Sequence, residues 1–366
     1  MVTDTTLQKA GVIRPVQEAI QATNAQMCIF DEGEPEPSTD LVMRVVEAAT
    51  KFQPDLFVAV GGGSNIDLTK ASCAAFAHGV DAQEMFGFNL VPGPIPTLVC
   101  LPTTAGTGSE MSQSSVLKNS ANGKKASVLS QYLRPDFAIV DPLLTMSCPR
   151  TVTAQSGIDA LTHAIEAYLA IGFDRLTEDP VSGRSYEGNH PIGDLYAEKA
   201  IRLVAQHLRS VFEEPDNLTD RTQMCLAATL AGAAFSNCGV VLAHALEYPI
   251  GAAYRCPHGA GNGIVLPEVM RFWLPERRSR MARIAELMGV DGVTAMGEQE
   301  AAEAAIDAVI SLRETIELPA KLSEIGAKAE DIPELAAAAF SLKRLLTLSP
   351  RTTSLEDLTK ILESCF

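Results

Sequence analysis

An α/β unit followed by an all-helical unit is what this sequence predicts, and three observations carry the prediction. Short apolar runs alternate with helical patterns through roughly the first 150 residues, which implies a parallel sheet of doubly wound type. After Pro149 helical patterns continue, while strand signals almost vanish. The length, 366 residues, is too great for one ordinary small core and asks for two. The predicted division is therefore 1–149 and 150–366.

In the first part, Met27–Phe30, Leu56–Val60, Thr97–Leu101 and Phe137–Val140 are short β-prone runs bounded by turn residues. Between the first two, Leu41, Val42, Val45, Val46 and Ala49 recur at helical spacing across Asp40–Phe52. In the second part, helices are expected over Thr151–Leu169, Leu195–Phe212, Asp220–Phe235, Val240–Ile250, Glu276–Leu287, Glu298–Ile316, Glu334–Ala339 and Ser354–Leu362. Ala-rich stretches such as Ala301–Ala308 support helix by propensity. Gly172–Gly193, rich in Gly, Pro, Asp and Ser, reads as a long ordered loop.

Composition removes several function classes. A formal net charge of −16 argues against a nucleic-acid partner, which needs a basic footprint. No apolar run reaches the roughly 18–20 residues that span a bilayer. The first residues lack the basic and apolar regions of an export signal, so a cytoplasmic protein is expected. Eight scattered cysteines without a CxxC pair read as reduced thiols and agree with that compartment.

Leu56–Val60 runs into Gly61-Gly-Gly-Ser64 and then a helical pattern. Such a strand, glycine turn and helix start gather backbone N–H groups where a pyrophosphate binds. The spacing is not G-x-G-x-x-G, and alone the turn is equally a plain strand-to-helix connection. Thr97–Glu110 ends a second strand in hydroxyls and glycines at the same carboxyl edge, where open α/β sheets bind ligands. Lys125 can add a charge for phosphate or ribose, or serve only as a solvated hairpin lysine.

Asp159 and His163, four residues apart, share one helix face; alone they read as readily as an ion pair. Glu166 lies further along that side, as a supporting group or a mere helix charge. His244 and His258 sit in a second small-residue context, and the chain has only six histidines. One carboxylate and three imidazoles suit Fe(II), Zn(II), Mn(II) or Ni(II). His78, His190 and His207 read as loop or surface residues.

Taken in order, Gly61-Gly-Gly-Ser-x-x-Asp67, Pro102–Glu110, Asp141-Pro142, Gly157–Glu166 and His244-x13-His258-Gly resemble the iron-containing (group III) alcohol dehydrogenase family over nearly the whole chain. The resemblance implies a Rossmann-like dinucleotide-binding domain and a helical domain in a dehydroquinate synthase-like arrangement, with metal and nicotinamide in the cleft between. It implies Asp159, His163, His244 and His258 as ligands of Fe(II), with His244, His258 and Tyr248 at the reacting centre. It implies Gly62, Gly63, Ser64 and Asp67 at the pyrophosphate, Thr103, Thr104 and Thr107 at adenine and phosphate, and Lys125 as the cofactor lysine. Asp4 matches the acidic ribose position, which favours NAD over NADP. The implied reaction is hydride transfer between an alcohol, aldehyde or ketone and NAD(H), with the ion as Lewis acid, in a homodimer.

Three departures accompany the resemblance. Relatives carry roughly 30 further residues before Met1, so Met1–Asp4 is expected at an unpaired sheet edge that weakens the hold on Asp4. Tyr248 replaces a histidine of many relatives, and Glu36 replaces an asparagine that helps hold the cofactor. Gly172–Gly193, Tyr186–Asp194 and Tyr248–Ile250 are similar to the hydroxyacid-oxoacid transhydrogenase branch, and the insertion is either a cover at the cleft mouth or a remote surface loop. That branch makes a hydroxyacid-oxoacid transhydrogenase or a 4-hydroxybutyrate-type dehydrogenase the runner-up, with Arg255 as candidate for the substrate carboxylate. A truncated, weakly active paralogue with a binding role is the reading from a different class. Retention of all four candidate ligands argues against it.

Overall fold

A computed structural model describes residues 1–176 and 185–366, so the middle of the Gly172–Gly193 segment lies outside the described residues. The chain divides into two compact units, Met1–Cys148 and Pro149–Phe366.

The first unit contains α1 (Thr5–Lys9), α2 (Arg14–Gln21), α3 (Thr39–Phe52), β1 (Leu56–Gly61), α4 (Gly63–His78) and β2 (Gly87–Phe88). It continues with β3 (Thr97–Pro102), β4 (Ser114–Lys118), β5 (Lys125–Leu129) and β6 (Phe137–Ala138). Strands β1, β3 and β6 form a parallel sheet in that order, with Leu56 opposite Thr97 and Val99 opposite Phe137. Both faces of β1 are covered. Phe57 and Ala59 pack with Ala49, Ile66 and Cys73 of α3 and α4, while Val58 and Val60 pack with Ile13 and Val16 beneath α1 and α2. A parallel strand buried on both sides needs a continuous apolar run rather than an alternating one, and Leu-Phe-Val-Ala-Val supplies it.

Met1–Asp4 is not an unpaired edge. Val2 bridges in parallel to Phe30 on one side and to Ala59 on the other, and Val60 N donates to Val2 O at 3.0 Å. The Met27–Phe30 run, expected as a strand, returns alongside and makes a single bridge, from Phe30 to Val2. A second sheet, of order β2-β5-β4, is mixed: β4 and β5 form an antiparallel hairpin and β2 lies parallel to β5. This sheet is absent from the apolar pattern of the sequence, because its short, half-buried strands carry little apolar signal.

The second unit comprises α5 (Arg150–Leu169), α6 (Pro191–Glu213), α7 (Leu218–Cys238), α8 (Leu242–Tyr254) and α9 (His258–Leu287). It ends with α10 (Glu298–Thr315), α11 (Ile332–Ser341), α12 (Lys343–Leu346) and α13 (Leu355–Ser364). Helix α5 is its buried centre and packs against α6, α7 and α9. Glu276–Leu287, expected as a separate helix, is the far half of α9. The break falls at Arg277 (φ −125°, ψ 18°), two residues after Pro275, whose missing N–H weakens the helical ladder. Arg277 turns that break to use: its guanidinium donates to the carbonyls of Leu169 and Ala170 at 2.9 and 2.8 Å and caps the end of α5. Among the described residues no single helix is long and apolar enough to cross a membrane.

Candidate metal centre and cofactor loops

Three helices of the second unit bring the metal candidates together. Asp159 and His163 lie one turn apart on α5, His244 opens α8, and His258 is the first residue of α9. Gly259 allows the crossing. A Cβ there would collide with the carbonyl oxygen of Gln155 on α5, so only glycine lets the start of α9 lie against that backbone beside Asp159.

Ligand atoms of Asp159, His244 and His258 all lie within 4.8 Å of one another. Nε2 of His258 is 3.6 Å and Nε2 of His244 3.9 Å from Asp159 Oδ1. Donors about 2.1 Å from a tetrahedral ion stand roughly 3.4 Å apart, so a small closure would complete a shell. His163 stands beside this triple. Its Nδ1 is 3.8 Å from Asp159 Oδ2, and its ring stacks on His244 at 4.7 Å and on Phe235 at 4.3 Å.

Two buried glutamates aim the imidazoles. Glu166 Oε2 accepts from His244 Nδ1 at 2.6 Å, and its oxygens also accept from the backbone N–H groups of Val241 and Ala243. Glu247 receives Nδ1 of His258. A proton on Nδ1 leaves the Nε2 lone pair free to face a cation, the arrangement by which ligating histidines are oriented in metal sites. Glu166 was ambiguous in the sequence; Glu247 was missed, although its place three residues after His244 was a usable signal.

Asn262, one turn beyond His258, was also missed. Its Nδ2 donates to Asp159 Oδ1 at 2.9 Å and lies 3.4 and 3.3 Å from the Nε2 atoms of His244 and His258. Burial pushes the Asp159 carboxyl upward, but His163, His258, His244 and the Asn262 hydrogen bond outweigh it, so the group sits below its usual range. A buried anion facing three imidazoles fits a divalent ion. Tyr248 is half-buried next to the site, its ring centroid 6.0 Å from that of His258 and 6.3 Å from that of His244. Burial pushes its phenol up, against the pull of the Arg344 guanidinium, so it stays protonated at ordinary pH. Arg255 lies exposed at the end of α8 with φ 52°.

In the first unit, the glycine turn and the threonine loop meet. The first intrahelical bond of α4 runs from Ile66 N to Gly62 O, leaving the N–H groups of Gly63, Ser64 and Asn65 without a helical acceptor. Thr104 and Thr107 are the side chains nearest Gly62 and Gly63, and Thr103 N donates to Gly61 O at 3.0 Å. Asp67 is placed differently: its oxygens accept from Ser109 Oγ at 2.5 Å and Val116 N at 2.8 Å, holding α4 to the loop between β3 and β4. Buried Lys70 continues that clamp through the carbonyls of Ser109, Ser112 and Ser114.

Asp4 is firmly held, contrary to the expected loose end. It caps α1 by accepting from Leu7 N at 2.9 Å, and Asn65 Nδ2 donates to its other oxygen at 2.7 Å. Lys125 is paired with Glu36 at 2.7 Å, joining two positions that sequence reading treated separately.

The comparisons with known proteins agree with this geometry. Residues 1–142 match the family described as iron-containing alcohol dehydrogenase, and residues 185–366 match the Fe-containing alcohol dehydrogenase family, C-terminal. Sulfoacetaldehyde reductase of Bilophila wadsworthia (strain 3_1_6) is 33% identical over 367 residues, covering 100% of this chain and 91% of that protein. The mitochondrial hydroxyacid-oxoacid transhydrogenase of Bos taurus is 30% identical over 387 residues, covering 100% and 83%. The solved alcohol dehydrogenase from Oenococcus oeni superposes with a TM-score of 0.92 at 29% identity, covering 100% of this chain and 92% of that one. A convergent Asp/His/His donor cluster, two family matches and relatives that cover the whole chain place it in the iron-containing alcohol dehydrogenase family, as a metal-dependent oxidoreductase that interconverts alcohols and aldehydes with NAD(H).

Proposed function

We propose that Asp159, His163, His244 and His258 hold the divalent ion, with Fe(II) the first choice, and that the α/β unit holds NAD. The observation that carries the reading is the convergence of Asp159, His244 and His258 within 4.8 Å, with each of those two imidazoles fixed by a carboxylate. When bound, the ion supplies Lewis-acid polarisation of the substrate oxygen and NAD supplies the hydride acceptor.

The chain's own groups bind and orient. Gly62, Gly63 and Ser64 offer backbone N–H groups to the pyrophosphate, and Thr103, Thr104 and Thr107 line the facing loop. Asp4 receives the ribose hydroxyls, and Lys125 supplies a positive charge near the phosphates. Asp67 acts at one remove, by fixing the Ser109–Val116 segment. Tyr248 keeps its proton and offers it to the substrate oxygen as a hydrogen bond.

The same reading makes the protein a cytoplasmic homodimer. Eight scattered cysteines without a CxxC pair support a reducing compartment, and light scattering on the purified protein tests the dimer. Anaerobic Fe(II) reconstitution with elemental analysis, together with an NADH-fluorescence titration, tests the site. The expected result is one ion per chain and saturable NADH binding. Loss of the ion in His244→Ala with NADH binding retained would separate the two halves, whereas an unchanged metal content would overturn the ligand assignment.

A further inference from the structure

Asn262 reaches three of the four proposed ligands, yet is not itself one of them. It stands one turn after His258 on α9, and the i, i+4 spacing puts both side chains on one face. The turn between them is Gly259, Ala260 and Gly261, and Gly263 follows. A Cβ at Gly261 would press on Glu247 at 2.9 Å, and one at Gly263 on Ile158 at 3.3 Å, so this turn lies tight against α8 and α5. Asn262 is thereby carried fully inside, at 0% exposure.

Its Nδ2 has two hydrogens and three acceptors in reach: Asp159 Oδ1 at 2.9 Å, His258 Nε2 at 3.3 Å and His244 Nε2 at 3.4 Å. The carboxylate bond is the shortest and is charge-assisted, so it is the one that persists when the imidazole lone pairs turn to an ion. The other end of the amide, Oδ1, is fully buried and has no hydrogen-bond partner among the described residues. A dry acceptor is costly, and a leucine of nearly the same size would carry no such cost. Packing alone therefore does not account for an amide here; its bond to Asp159 does.

The amide is also neutral. Among the described residues, Asp159 supplies the one carboxylate recorded beside the Nε2 atoms of His244 and His258, whereas Glu166 and Glu247 meet their Nδ1 atoms. Carboxylate-rich donor sets suit Mn(II) and Mg(II), while imidazole suits Fe(II), Zn(II) and Ni(II).

We infer that Asn262 is a positioning residue that sets the ion preference of the centre. It fixes the oxygen that Asp159 presents and keeps the donor set at one carboxylate, so that imidazole-seeking ions are held in preference to Mn(II). The inference rests on the ligand assignment proposed above and deepens it to the choice of ion. Asn262 acts through Asp159, not on the substrate.

Wild type, Asn262→Leu and Asn262→Asp test it, each stripped of metal and reloaded anaerobically. Zn(II) and Mn(II) affinities are measured by competition with a chelator, and the Co(II)-loaded forms by visible absorption. Asn262→Leu removes the donor at almost constant volume and should weaken both ions about 10- to 100-fold. Asn262→Asp puts a second carboxylate in the same place and should narrow the preference for Zn(II) over Mn(II) on the order of tenfold. The Co(II) spectrum should change in Asn262→Leu, because the released carboxylate is free to present its other oxygen or both. A loss of stability alone does not move that signature. A retained circular dichroism spectrum shows that each variant folds; if Asn262→Leu does not, Asn262→Ser removes the amide in its place.

Either an unchanged ion preference in Asn262→Asp or unchanged affinities in the donor-less variant overturns the inference. If His244→Ala still abolishes binding in that case, the ligand set stands and Asn262 alone is excluded. A wild type that takes up no ion, or binding that survives His244→Ala, sinks the ligand assignment and this inference with it.

Discussion

Glu166 and His244, 78 residues apart in the chain, are joined by a hydrogen bond of 2.6 Å between Oε2 and Nδ1 deep inside the helical unit. The same carboxylate accepts from the backbone N–H groups of Val241 and Ala243, so it fixes both the ring and the first turn of the helix that carries it. Replacing Glu166 by Gln removes the charge and leaves an amide that cannot accept all three donors. Metal affinity, measured by competition with a chelator, should fall about 10- to 100-fold while the circular dichroism spectrum is retained. An unchanged affinity would mean that His244 is oriented by something else.

Asn65 does for the first unit what Glu166 does for the second. It donates to Asp4 at 2.7 Å, and Gly33 lies so close that a Cβ there would meet both the Asn65 side chain and, at 2.6 Å, the carbonyl oxygen of Thr3. Gly33→Ala should therefore cost about 1–3 kcal/mol of stability through overpacking. It should also weaken NADH binding, because Asp4 and the start of α4 are displaced together. A variant with wild-type melting temperature and NADH titration would show that the contact relaxes freely.

Lys125, only 10% exposed, is neutralised by Glu36 at 2.7 Å. Glu36→Gln would free that charge for the phosphates of the cofactor. NADH should bind about two- to five-fold more tightly at low salt, with the gain shrinking as ionic strength rises. Weaker or unchanged binding would remove Lys125 from the cofactor site.

Acid stability has a local source at the α6–α7 pair. Hydrogen bonds from Ser210 and, against some burial, from His207 hold the Asp220 carboxyl below its usual range. The unfolded value is about 3.9, so as pH falls through it the unfolded chain takes up the proton first. The stabilisation is present above about pH 4 and is lost as pH drops through the lowered folded value. Asp220→Asn should have a urea midpoint that falls less steeply than the wild type between about pH 5 and pH 2. Parallel curves would count against this account.

The order of elements, the change of texture near residue 150 and the residue types of both loops come from local pattern alone. Leu56–Val60 must be a strand buried on both faces because it has no polar side to show water. Gly61–Gly62 must turn because they join that strand directly to a helix, which begins at Gly63 rather than after Ser64. Asp159 and His163 share a face by helical periodicity, so that half of the donor set needed no tertiary information. Tertiary structure decided the rest, because it concerns groups brought together from distant parts of the chain. Glu166 became the partner of His244, Glu247 of His258, and Asn262 of Asp159 only when α5, α8 and α9 crossed. Met1–Asp4 changed from an expected loose edge to a paired segment because Phe30 and Ala59 flank Val2. Periodicity states which way a side chain faces; only the packed chain states what it meets there.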